Sequence, residues 1–191
     1  RDEISFVYNP FPEAPGDGIR IGGAPAWRTI LNIKMPDKLK GPAELCAAAG
    51  GCPLEIEPLW LNYAAISLTS ERGEQAFQPT DSIGLDLRQV LRRDALPKAP
   101  LGESLAGLLG HRVGPDAFGV NAGTEIEIPM TEFVRDLLRE QDGDVTPTKT
   151  LALLSVFEPI SIAYASFYGP GDENAPVLKL VVTVGRPMEL P

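Results

Sequence analysis

From Trp27 to Met35 the chain alternates, with Trp27, Thr29, Leu31 and Ile33 on one side of an extended backbone and Arg28, Ile30, Asn32 and Lys34 on the other. A period of two predicts a strand with one buried face and one partly wet face. Ile83, Leu85 and Leu87 alternate in the same way against Ser82, Gly84, Asp86 and Arg88. Upstream, "EISFVY" (3–8) is a short strand candidate followed by "NPFPEAPGDG", whose prolines and glycines cannot continue a sheet. Residues 1–26 therefore read as a strand on an extended arm.

Between Leu59 and Leu68 both registers are apolar: Trp60, Ala64, Ile66 and Leu68 fit a core, and Leu59, Leu61, Tyr63 and Ala65 fit a second apolar surface. Such a strand is expected to be covered on both sides, by a helix, a loop or another chain. From Arg92 to Gly123 glycine and proline are too frequent for a long helix, so a long excursion is expected, with a helical turn near Glu103 to Leu109. In "GTEIEIPMTEFVRDLLRE" a strand carrying Ile126 and Ile128 stops at Pro129, and Thr131 is placed to N-cap a helix with an apolar stripe of Phe133, Val134, Leu137 and Leu138. The closing stretch "YASFYGPGDENAPVLKLVVTV" (164–184) reads as strand, polar turn, strand, a terminal hairpin. Leu178, Leu180, Val182 and Val184 share one face there, and Ile160, Ile162, Tyr164 and Ser166 another. The sum is an all-β chain: one antiparallel, jelly-roll-like β-sandwich over 27–185, one short helix near 131–140, and a tail over 186–191.

Composition agrees with that class. Gly and Pro number 19 each in 191 residues while aromatics are only 7%, a balance that suits short strands and many turns. A net charge of -9, with no run of Lys or Arg, excludes a nucleic-acid-binding stripe and disfavours anionic membrane surfaces. No apolar stretch approaches the roughly 18 residues of a spanning helix, and "RDEISFVYNP" has no signal-peptide core, so a leader or anchor upstream of Arg1 is expected to have been removed, or the chain trimmed. Cys46 and Cys52 in "LCAAAGGCP" are separated by small residues; a disulfide is sterically easy and suits an exported protein, and two free thiols are the alternative. A metal site there lacks two further soft ligands.

The order of segments resembles the DNRLRE-type, carbohydrate-binding-module-like jelly roll of secreted bacterial proteins. The early strand "WRTILNIKMP", the middle strand "YAAISLTSE", the strand-to-helix segment "IEIPMTEFVRDLL" and the closing "YASFYGPGDENAPVLKLVVTV" carry the likeness, over about residues 27 to 184. The resemblance implies an exported, non-catalytic β-sandwich of the cell surface or envelope.

Candidate chemistry is sparse. His111 is the only histidine; Ser104 or Ser155 with Asp116 would have to complete a triad, and no nucleophile elbow surrounds them. Glu125 and Glu127 share a strand face about 7 Å apart, near the spacing of an inverting glycosidase, although alternation with Ile126 and Ile128 also describes a plain wet face. The turns "QDGDVT" and "GPGDENAP" carry Asp142, Asp144, Asp172, Glu173 and Asn174, oxygen donors suited to calcium, with Asp142 and Asp144 the candidate ligands. Phe167 and Tyr168, at the tip of the expected hairpin, are the candidates for stacking on a glycan. Ile4 and Phe6, in a strand able to pair outside its own sandwich, and Leu59, Leu61 and Tyr63 are the candidate partner surface. The reading is a structural or interaction subunit outside the cytoplasm with protein partners, self or hetero, no cofactor beyond calcium, and carbohydrate binding as the alternative.

Overall fold

A computed structural model describes residues 18–23, 26–36, 38–73, 78–139, 148–156, 158 and 161–184. The strand expected at 3–8, with Ile4 and Phe6, the calcium candidates Asp142 and Asp144, and the 186–191 tail lie outside these residues.

The elements are β1 (Ile19–Gly22), β2 (Thr29–Asn32), α1 (Ala43–Ala48), β3 (Leu61–Glu71), β4 (Ile83–Val90), β5 (Leu101–Ser104), β6 (His111–Val113), β7 (Glu125–Pro129), α2 (Thr131–Arg139), β8 (Thr150–Ser155), β9 (Tyr164–Phe167) and β10 (Val177–Val182). They form two antiparallel sheets packed as a sandwich, one from β1, β3, β7, β9 and β10, the other from β2, β4, β5, β6 and β8.

Each sheet is organised on one long strand. In the first, even-numbered residues of β3 turn their backbone groups to β7, as Ser70 does by bonding Thr124 and Gly123. Odd-numbered ones turn to the opposite edge, where Thr69 accepts the Tyr168 N–H. Along that second edge lie first β9, with Phe167 opposite Ser70, and then β10, with Val177 opposite Ser67 and Leu180 opposite Ala64. The segment 164–184 is therefore not a hairpin. β9 and β10 run in one direction along the same edge of β3, as a single strand interrupted by a polar excursion at 168–176. The second sheet repeats this: β5 and β6 follow one another along one edge of β4, with Ser104 opposite Arg88 and His111 opposite Leu85, and β8 takes the other edge. Counting each interrupted pair as one strand, the chain-order sequence is 6-3-8-1 in one sheet and 5-4-7-2 in the other. That order is a jelly roll.

The alternation read from the sequence holds where ladders are regular. Ile83, Leu85, Leu87, Ile126, Ile128, Leu151 and Leu153 all point between the sheets and are buried. It fails at the start of β3. Pro58–Trp60 is a tight turn rather than strand, and the β3–β10 ladder shifts between Val181 and Val182 because Asn62 is an extra residue. That bulge moves Leu61 from the outer face to the core, where it is 2% exposed.

Pro129 ends β7, and α2 takes over the task of bonding β3. The Ala64 N–H donates to Thr131 Oγ1 at 3.0 Å, and Arg135 Nη2 donates to the Leu61 carbonyl at 3.1 Å. Thr131 thus ties the helix to the strand instead of capping it; the first turn closes on the Met130 carbonyl. Phe133, Val134, Leu137 and Leu138 are buried as the stripe predicts. The expected excursion 92–123 is largely structured. Leu96, Ala99 and Leu101 cover an outer-face cluster of Val90, Ala152 and Leu154, and β5 and β6 replace the helical turn expected near Glu103. Helix α1, which no periodicity announces, carries Cys46 in its second half and is tied there by a disulfide to Cys52 just beyond its end, with Cα atoms 5.1 Å apart; it buries no residue.

Candidate interaction surface

The segment joining β5 to β6 forms a short projecting loop. Its base is fixed where the Leu105 N–H bonds the Leu87 carbonyl, 2.9 Å, and its tip where the Gly110 N–H bonds the Gly107 carbonyl, 3.0 Å. Ser104 Oγ, 2.5 Å from buried Asp86 Oδ1 and 2.8 Å from the Gly107 carbonyl, braces it from inside. Asp86 is held in turn by Arg88 Nε at 2.7 Å. Both loop glycines adopt the left-handed region, φ +82 at Gly107 and +63 at Gly110. Between them Leu108 is 92% exposed and Leu109 58%. Two adjacent leucines held out from the sandwich by a braced backbone form an exposed apolar knob. The sequence signal was "GLLG", leucines flanked by the residue that tolerates positive φ.

The other candidates divide. Leu59 is 89% exposed on the turn before β3, whereas Leu61 is buried in the core and offers nothing to a partner. Tyr63 is half-buried on the outer face of β3. Phe167 is fully buried, its ring edge-on to Phe118 with centroids 5.5 Å apart, so it cannot stack on a sugar; Tyr168 beside it is partly exposed. Phe167 fails as a surface residue because it stands in mid-ladder opposite Ser70 and not at a hairpin tip. Asp172 Oδ1 accepts from the backbone and side-chain nitrogens of Asn174, closing its own turn. Among the described residues no group of three or more His, Cys, Asp or Glu is placed to hold a metal ion. His111 and Ser155 both flank Leu85 on opposite neighbouring strands, about 10 Å apart by strand spacing, and Ser104 is occupied by Asp86. The triad partners are not brought together.

The carboxylate pair is real but tied. Lys179 crosses β3 above Ala65, whose small side chain leaves room for the lysine stem, and its Nζ lies 2.7 Å from both Glu125 Oε1 and Glu127 Oε1. Ser67 donates to Glu125 at 2.5 Å, and the Tyr63 hydroxyl to Glu127 at 3.5 Å. The Lys179 hydrogen bond, then that from Ser67, holds the Glu125 carboxyl below its ordinary 4.5. Its hydrogen bonds to Glu125 and then Glu127 push Lys179 above 10.5, and burial followed by the Glu127 charge raises Tyr63 above 10.0. A glycosidase acid must instead be kept protonated.

A depressed carboxylate contributes stability that is present above 4.5 and lost as pH falls through its lowered value; the raised lysine and phenol contribute stability that is present below 10.0 and lost at more alkaline pH. Lys179→Met is accordingly expected to lower the urea midpoint across this plateau, with the gap from the unaltered chain closing below pH 4.5. A gap that stays constant down to pH 3 would show that the lysine acts through packing alone.

A cavity of ≈ 380 Å³ opens where β1, β4, β6 and β8 meet, lined by Gly22, Asp81, Ser82, Arg112 and Ser155 among others. No aromatic ring among the described residues lines it. No helix among them is long and apolar enough to cross a membrane. Compared with models of known protein families and with curated proteins, the chain matches none.

Proposed function

We propose that this chain is a non-catalytic β-sandwich that works outside the cytoplasm as a structural or interaction subunit of a cell-envelope or extracellular assembly, with protein partners. The observation that carries the reading is the braced loop between β5 and β6, which exposes Leu108 and Leu109 where a soluble monomer gains nothing from two bare leucines. The resemblance of residues 27–184 to exported jelly rolls supports the same class, and the Cys46–Cys52 disulfide supports an oxidising compartment. Carbohydrate recognition through loop aromatics retains only Tyr168 of its two ring candidates.

The test is the native mass of the protein extracted gently from its source cells, by size-exclusion chromatography with light scattering, beside a Leu108→Ser/Leu109→Ser variant. A mass well above 20.5 kDa that collapses to the monomer in the variant is the expected result. A monomer in both samples would refute the assembly reading and send the search to small ligands.

A further inference from the structure

The cavity where β1, β4, β6 and β8 meet has fixed walls. The Gly22 N–H bonds the Trp27 carbonyl at 2.9 Å, the Gly23 N–H bonds the Ala163 carbonyl at 2.9 Å, and the Val156 N–H bonds the Gly84 carbonyl at 2.8 Å. Glycine keeps its floor open. A Cβ added at Gly22 would stand 3.3 Å from the Ala163 carbonyl oxygen, 3.4 Å from Ser155 Cβ and 3.8 Å from Ile83 Cδ1, and all three residues line the cavity. The φ of +87 at Gly22 favours glycine on its own account. Thr80, Ser82, Ser155 and Ser161 bring hydroxyl groups to the lining, and Ser161 Oγ, which accepts the Ala163 N–H at 3.1 Å, keeps its own proton to donate. Two charged side chains complete it, Asp81 and Arg112. Asp81 Oδ1 accepts the Ser82 N–H at 2.7 Å. Arg112, opposite Gly84 in the β4–β6 ladder, makes no ion pair or side-chain hydrogen bond with any described residue, Asp81 included. Elsewhere on this surface neighbouring charges do meet, as Arg92 meets Asp94 and Arg139 meets Asp136. An acid and a base that line one cavity without pairing are complementary to a molecule carrying both an ammonium and a carboxylate.

We propose that this cavity binds a small zwitterion, a free amino acid, with its carboxylate on Arg112, its ammonium on Asp81 and the hydroxyls completing the polar contacts. A guanidinium fork matches a carboxylate through two parallel hydrogen bonds, and Asp81 keeps Oδ2 for an ammonium donor. The volume of ≈ 380 Å³ lies at the small end of ligand cavities, which run from about 300 to 1,000 Å³. Pro79, Ile83 and Ala163 add an apolar wall suited to a short side chain. β1 belongs to the first sheet and β4, β6 and β8 to the second, so both sheets hold the site between them. Neither Leu108 nor Leu109 lines it, and the site therefore stands or falls independently of the assembly reading.

Proton–nitrogen amide spectra of the full chain, titrated with each of the standard amino acids, test this. At least one is expected to shift the Ser82, Arg112 and Ala163 amides saturably, and its N-acetyl and carboxamide derivatives are each expected to bind roughly 10-fold or more weakly. Arg112→Gln should abolish the preference for the free over the amidated form, and Asp81→Asn the preference for the free over the acetylated form. Both side chains are exposed, so neither change threatens the fold. No saturable shift with any amino acid at about 20 mM, well above a Kd of roughly 1 mM, would overturn the proposal. Equal binding of the end-blocked forms, or unaltered discrimination in either variant, would overturn it as well.

Discussion

Phe167→Ala is expected to cost about 3–5 kcal/mol of folding stability, the largest loss from any single truncation at the end of the first sheet. The ring is wholly buried and meets Phe118 edge-on, at an interplanar angle of 86°. Phe118 comes from the turn between β6 and β7, so the pair joins a strand of one sheet to the loop that closes the sandwich. Urea unfolding of the two single variants and the double variant separates ring–ring contact from burial; a coupling of about 0.5–1.5 kcal/mol is expected. A loss under about 1 kcal/mol for Phe167→Ala would mean that the ring is not in the core, and with it that the interrupted-strand register is wrong.

Gly110→Ala is expected to destabilise by about 3 kcal/mol, of which only some 1–2 kcal/mol is the ordinary cost of a left-handed alanine. The remainder is collision. A Cβ at Gly110 would stand 2.6 Å from the Leu85 carbonyl oxygen and 2.6 Å from Val156 Cγ2, and a backbone oxygen in mid-ladder cannot yield. Gly107, at φ +82, has nothing within 4 Å of the same position. Gly107→Ala should therefore show the conformational cost alone, about 1–2 kcal/mol. Equal losses at the two positions, measured by thermal or urea melts, would remove the steric argument. The pair also bears on the leucine knob, since Gly110→Ala must displace Leu109 or lift β6 from β4.

The two-sheet architecture was legible because it depends on alternation, which ladders enforce at every residue. Ile83, Leu85 and Leu87, or Ile126 and Ile128, needed no further information. The apolar stripe of α2 was legible for the same reason at a different period. What could not be read was which edges meet. A hairpin and an interrupted strand have the same wording, strand, polar turn, strand, and only the length of β3 decides between them by offering one continuous edge to both halves. That one ambiguity misplaced Phe167, which would be exposed near a hairpin turn and is buried opposite Ser70. Leu61 was lost to an equally silent event, the extra residue Asn62, because nothing in "LWLNYAAIS" marks where the parity changes. The Glu125, Glu127 and Lys179 cluster was half visible: the carboxylates were found, but the lysine that ties them arrives from a strand more than fifty residues later, across an alanine whose smallness has meaning only in the sheet.

The interrupted strands also determine where this protein can change length. In most sandwiches an insertion is safe only at the ends of strands, because one placed within a strand shifts the register of everything beyond it. Here each half of the last strand is anchored separately to β3, and each half of the fifth to β4, so lengthening 170–174 or 106–109 leaves both registers where they are. Loop closure adds only about 0.6 kcal/mol per doubling. The flanks of the sandwich, and not only its two ends, are thus available for grafting a peptide epitope or a tether, on a scaffold that does not have to be re-registered to receive it.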